Sequence, residues 1–261
     1  MQGLGLNHGG YHGERIDAPA VLRSLVAEAG SHDWRQSEVE VAPGRRLLFL
    51  TRPAADGRPG PNLYLSAGIH GDEPAGPLAM LELVRSDGLP RDANIWLCPC
   101  LNPTGFMAST RENEDGADLN RDYREPSTPE VRAHVEWLAG LPRLDLTILL
   151  HEDWESAGFY LYELNPDGPS GLAESMIAAV RPVCPIDPSP VIDGRETHAP
   201  GIIRPPMDPT SRPQWPEAFW LYQHRTRLSY TIEAPSDFAL SVRVAALVAA
   251  VRGAIGKFTG I

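Results

Sequence analysis

The chain is poor in cysteine, with only Cys98, Cys100 and Cys184 among 261 residues. So small and odd a number argues against a disulfide-framed fold and for a reducing compartment. Cys98 and Cys100 stand two apart in an apolar run and are expected on one face of a strand, where so short a loop makes a poor bridge. Buried free thiols are the expectation for all three. Basic residues are the minority, 23 Lys and Arg against 34 Asp and Glu, for a formal net charge of −11. Such an acidic average disfavours nucleic acid or an anionic membrane as the main partner. No uncharged apolar run approaches the roughly 18 residues that span a bilayer. The opening segment, MQGLGLNHGGYHGERID, has no basic region followed by an apolar core, so no secretory signal is read there and a soluble, cytoplasmic protein is expected. No G-x-x-x-x-G-K-[S/T] loop occurs and the N-terminal glycines follow no strand, which removes a nucleotide-binding reading. Internal repeats are absent as well.

What the chain does have is alternation. Apolar positions Val21, Leu22, Leu25, Val26 and Ala29 recur at helical spacing over 18–29. Residues 46–51 read as a strand that ends in a Pro/Gly-rich turn. Strands are then expected at 62–67, 94–98, 144–150, 160–164 and 229–232. Helices are expected at 77–84, 128–138, 170–180 and 239–255. Strand alternating with helix implies an α/β fold of three α/β/α layers around a mostly parallel, mixed central sheet. The length fits one catalytic domain over 1–261, with an N-terminal arm at 1–17. The proline-dense stretch 182–216 is expected to lack regular structure and to form an ordered loop shaping the active site.

The chemistry concentrates at strand ends. In the run Leu-Tyr-Leu-Ser-Ala-Gly-Ile-His70-Gly-Asp-Glu73 a strand enters a glycine-bearing turn ahead of a helix. His70 is thereby placed at the carboxyl end of a strand, where open α/β sheets bind ligands. Glu73, three residues on, can aim at the same point. One imidazole and one carboxylate make an incomplete metal site, and such a pair recurs by chance. The apolar strand 144–150 runs directly into His151, which an adjacent parallel strand would bring beside His70. Two histidines and a carboxylate leave one tetrahedral position open, the arrangement of a catalytic zinc. The segment after Cys100 carries Arg111, Asp118, Asn120 and Arg121 in a Gly- and Pro-bearing loop, and arginine's planar fork suits carboxylates and oxyanions. Glu233 closes the last strand in Ser-Tyr-Thr-Ile-Glu-Ala-Pro.

Taken together, HGDE at 70–73, NPTG at 102–105, Arg111, DLNRDY at 118–123, His151 and Glu233 resemble the M14-class zinc carboxypeptidases. The similarity covers roughly residues 60–240 and is nearer the small bacterial branch that includes murein peptide amidases. The resemblance implies a zinc metallocarboxypeptidase with one Zn2+ per chain held by His70, Glu73 and His151. It implies that Asp118 orients His70, that Arg111 polarises the scissile carbonyl, and that Asn120 and Arg121 grip a free carboxylate of a small peptide or amino-acid amide. Glu233 would be general base and acid. The chain departs from the pattern at Glu152 and Asp153, where a small polar residue is expected, and its catalytic tyrosine could be Tyr160, Tyr222 or Tyr230. Two other readings stand: an N-acyl amino acid amidohydrolase like succinylglutamate desuccinylase and aspartoacylase, or an inactive binding module on the same fold. His8, His12, His198 and His224 read as loop or surface histidines.

Overall fold

A computed structural model describes residues 16–55, 59–168, 171–206, 208 and 212–260. The expected arm at 1–17 falls outside them except for Ile16 and Asp17. In chain order the elements are α1 (Ala18–Ser31), β1 (Arg35–Ala42), β2 (Arg45–Arg52), β3 (Asn62–Ala67), α2 (Ala75–Arg85), β4 (Asn94–Cys98) and α3 (Pro103–Ala108). A 3-10 turn (Leu119–Arg121) leads to α4 (Pro129–Ala139), β5 (Leu146–Asp153), β6 (Tyr160–Leu164) and α5 (Leu172–Val180). The two-residue strands β7 (Val191–Ile192), β8 (Arg195–Glu196) and β9 (Ile202–Ile203) precede α6 (Glu217–His224), β10 (Ser229–Pro235) and α7 (Leu240–Thr259).

Eight strands form one sheet in the order β1-β2-β4-β3-β5-β10-β6-β9. Its centre, β4-β3-β5-β10, is parallel, while β1 and β2 join antiparallel at one side and β6 joins β10 antiparallel at the other, with β9 parallel to β6. Strand alternation divides the side chains between two faces. Leu63, Leu65, Leu146, Ile148, Tyr230 and Ile232 enter a core capped by α1, α2, α5 and α7. Tyr64 and Leu149 enter a second core under α4 and α6. The three-layer, mixed-sheet expectation is met.

Local chemistry sets the helix ends. The Asp17 side chain accepts from Ala20 N, Asn102 from Gly105 N and Thr128 from Val131 N, each satisfying an orphan donor of a first turn that also holds proline. Two glycines bring the functional turns together. Gly68 follows β3 at φ +63°, with Cys100 packed against it. A Cβ on Gly71 would lie 1.9 Å from the backbone carbon of Gly105, so the HGDE and NPTG segments touch where only glycine fits.

Several expectations need correction. β5 does not stop before His151 but continues through Asp153, because Glu233, Ala234 and Pro235 continue the pairing. Cys98 and Cys100 do not share a face: β4 ends at Cys98, and the turn sends Cys98 into one core and Cys100 into the other. All three cysteines are buried and free. The proline-dense stretch carries three short strands, and β9 pairs with β6 at the sheet edge. Strand β1 and helix α6 were not read from the pattern at all.

Candidate active site

Register and parity bring the ligating residues together. On the parallel pair β5/β10, His151 and Glu233 are direct partners. Both sit at odd positions, opposite in phase to Ile148-containing and Ile232-containing rows that fill the first core. His70 and Glu73 come from the turn between β3, which pairs with β5, and α2. The outcome is a cluster in which His70, Glu73 and His151 each offer a ligand atom, all within 4.8 Å of one another and all buried. His70 Nδ1 lies 2.5 Å from Glu73 Oε1, and His151 Nδ1 lies 3.0 Å from Glu73 Oε2.

This donor set fits a divalent cation. His70 Nε2, buried and without a well-formed hydrogen bond, faces Asp118 Oδ1 at 3.3 Å. A carboxylate on that nitrogen leaves the Nδ1 lone pair for a metal, the usual support for a ligating imidazole. The electrostatics show the same demand for positive charge. Burial alone would depress the His70 pKa, but Glu73 and Asp118 raise it to about 9. Burial alone would raise Glu73, but the two imidazoles hold it well below the ordinary carboxylate range. A cation would meet that demand.

Around the cluster stand the other residues singled out by sequence. Arg111 Nε donates to Asp118 Oδ2 at 3.0 Å. That bond turns Nη1 toward the cluster, 3.4 Å from His70 Nδ1 and 3.9 Å from Glu73 Oε1. Asp118 caps the 3-10 turn by accepting from Asn120 N. Asn120 Oδ1 accepts from Glu217 N at 2.9 Å, so its amide nitrogen is the end left to act as a donor. Arg121 Nη1 donates to the Asn120 carbonyl. All of these except Asp118 line one cavity of about 450 Å³ together with Glu233. Burial, reinforced by the charges of Glu73, Asp153 and Asp193, raises Glu233 well above the ordinary range of a carboxyl group.

Glu152 and Asp153 part company. Glu152 turns into the core beneath the site, accepting from Ala75 N at 2.6 Å and from Arg243 Nη1 at 2.6 Å. Its own N–H donates to Glu73 Oε2. Asp153 lines the cavity and accepts from the Tyr160 hydroxyl. Of the tyrosines considered, Tyr230 is buried and donates to Glu163, and Tyr222 packs against the α4/α6 core. Tyr160 lines the cavity, as does Tyr162, which sequence reading did not select. His224 lies against Trp220, and His198 Nδ1 accepts from Arg204 N. His8 and His12 lie outside the described residues.

A buried polar chain beneath the substrate-facing loop was also missed. Tyr64 Oη and Ser66 Oγ donate to the two oxygens of Glu217, at 2.8 and 2.9 Å. His134 lies between hydroxyls, Nε2 at 2.8 Å from Tyr64 and Nδ1 at 2.6 Å from Tyr123. One proton order satisfies every group: Tyr123 donates to Nδ1, Nε2–H donates to Tyr64, and Tyr64 donates to Glu217. Burial lowers His134 to about 3, keeping it neutral, and raises Glu217 to about 7.

Comparison with known proteins agrees with this geometry. The chain has the fold of the metallo-carboxypeptidases. A protein of Shewanella denitrificans described as a candidate metallopeptidase superposes with a TM-score of 0.78 at 24% identity, covering 92% of this chain and 90% of that one. A metallo-carboxypeptidase of Burkholderia cenocepacia superposes with a TM-score of 0.66 at 18% identity, covering 90% and 68%. Residues 59–181 match the succinylglutamate desuccinylase/aspartoacylase catalytic domain. Carboxypeptidase SOL1 of Arabidopsis thaliana is 30% identical over 104 residues, 32% of this chain and 21% of that protein. The matched segment thus spans about a fifth of that relative's length. These matches show the metallo-carboxypeptidase fold over most of the chain and a likeness of residues 59–181 to the succinylglutamate desuccinylase/aspartoacylase catalytic domain. No described helix is long and apolar enough to cross a membrane.

Proposed function

We propose that the protein is a zinc metallocarboxypeptidase that hydrolyses an amide bond next to a residue with a free carboxylate. The observation that carries this reading is the two-histidine, one-glutamate cluster with a second, unligating glutamate, Glu233, in register beside His151. His70, Glu73 and His151 would hold the ion, with Asp118 orienting His70. A zinc ion bound there supplies the acidity that brings water close to ionisation at neutral pH.

The remaining work falls to side chains of this chain. Asn120 and Arg121 hold the substrate carboxylate through the amide N–H and the guanidinium fork. Arg111, anchored by Asp118, donates from Nη1 to the carbonyl oxygen as negative charge develops on it. Glu233 accepts a proton from the attacking water and delivers it to the leaving amine. Glu233 lines the cavity in register beside His151, within the space where that water would be held.

The test is a hydrolysis assay on zinc-loaded protein with a short peptide, its C-terminal amide, and N-acetyl and N-succinyl amino acids. Cleavage of the free-acid peptide and not of its amide supports the reading. Cleavage confined to the N-acyl amino acids would move the assignment to the desuccinylase-like activity that the family match brings to mind. Peptide binding at zinc saturation without turnover would indicate an inactive module.

A further inference from the structure

Among the charged groups on the cavity wall that have no task in the mechanism above, Arg212 stands next to the loop of Asn120 and Arg121. Arg212 lines the cavity with its guanidinium 5.0 Å from the Phe219 ring centre, a cation–π stack that fixes its position. Its side chain makes no ion pair or hydrogen bond among the described residues. Elsewhere in the fold, four arginines with mostly buried side chains are matched to carboxylates: Arg45 to Glu130, Arg52 to Asp87, Arg204 to Glu163 and Arg243 to Glu152.

Backbone contacts locate Arg212 on the same wall as the carboxylate-gripping residues. Tyr123 N donates to Trp215 O, and Arg124 Nη1 donates to Arg212 O. Glu217 N donates to Asn120 Oδ1. The segments 119–124 and 212–219 therefore run side by side, and Arg121 and Arg212 face one cavity. The cavity's carboxylates gather elsewhere. Asp153 and Asp193 accept from Tyr160 and Tyr162 on β6. Those acids stand with a single arginine, Arg195, so an anionic group is favoured more by the wall that holds Arg121 and Arg212.

We propose that Arg212 is a specificity residue for the side chain of the departing residue, and that this side chain carries a carboxylate. Resting on the carboxypeptidase reading of the site, the substrate class becomes a peptide ending in an acidic residue, with Arg121 and Asn120 on the α-carboxylate and Arg212 on the second one. A planar guanidinium fixed by stacking pairs with a carboxylate at little ordering cost.

The test measures discrimination in two ways on zinc-loaded wild type, Arg212→Gln and Arg212→Lys. Peptide pairs ending in Glu or Gln give a ratio of kcat/KM, and calorimetry with free glutamate and free glutamine, each enantiomer, gives a ratio of Kd. A charge-assisted hydrogen bond corresponds to a preference on the order of ten- to a hundredfold for Glu. That preference should collapse toward one in Arg212→Gln and survive in part in Arg212→Lys. Equal handling of Glu and Gln by wild type, or a preference untouched in Arg212→Gln, overturns the assignment. If no peptide is cleaved but glutamate still binds in an Arg212-dependent way, the peptidase reading fails and the dicarboxylate site stands.

Discussion

Replacing Glu152 by Gln should destabilise the protein severely although Glu152 is not one of the three residues that would hold the ion. Its side chain joins Ala75 N at 2.6 Å, two residues beyond Glu73, to Arg243 Nη1 on α7 at 2.6 Å. Ser236 Oγ, three residues beyond Glu233, lies 3.4 Å from the same carboxylate. The Glu152 and Arg243 side chains are 0% and 3% exposed. Burial raises the Glu152 carboxyl above its ordinary range even against Arg243, so the pair contributes little net stability. Breaking it is another matter, because the buried Arg243 guanidinium then loses the Glu152 carboxylate, at about 3–5 kcal/mol. For a chain of this size each kcal/mol moves Tm by about 2–4 °C, which puts the loss at about 6–20 °C. Thermal and urea unfolding with a chelator present, to remove metal linkage, would measure it. The double variant Glu152→Gln/Arg243→Met keeps an acceptor for Ala75 N and buries no charge, so it should recover more than half of the loss. Single-variant costs below about 1 kcal/mol, or losses that merely add in the double variant, would refute the idea that these two side chains form one unit.

Other outcomes follow from the same structure. Glu233→Gln should lower kcat about 10²–10⁴-fold while the zinc content is retained; retained turnover removes Glu233 from its role. Burial raises the Glu217 carboxyl to about 7, so its contribution to stability is present below its unfolded pKa of 4.5 and is lost as pH rises through about 7. The stability difference between wild type and Glu217→Gln should therefore shift in favour of the variant by about 3 kcal/mol between pH 4.5 and 7.5; a difference independent of pH contradicts this. Gly71→Ala forces a Cβ to within 1.9 Å of the Gly105 carbonyl carbon, and should cost about 1–3 kcal/mol or more, read by urea unfolding of the metal-free protein.

The sheet centre was legible because β3, β4 and β5 are apolar runs with turn residues on both sides, and their ends announced His70 and His151. Strand β1 was not, because Arg35-Gln-Ser-Glu-Val-Glu is an edge strand with one partner and mostly exposed side chains. Helix α6 lay beyond a proline cluster, and its eight residues give two turns of periodicity. Glu152 stood out as an anomaly, yet its explanation, Arg243, lies ninety-one residues away. The buried chain through Tyr64, His134 and Glu217 draws on three separate elements, none of which signals the others. Arg212 likewise gains meaning only when the 212–219 segment is laid along the 119–124 loop.

Metal content tests the central claim most directly. Elemental analysis of purified wild type and His151→Ala should find about one zinc per wild-type chain and a marked loss in the variant, with both proteins folded by circular dichroism. Equal metal in the two proteins, or none in a wild type offered zinc, would contradict a site built from His70, Glu73 and His151.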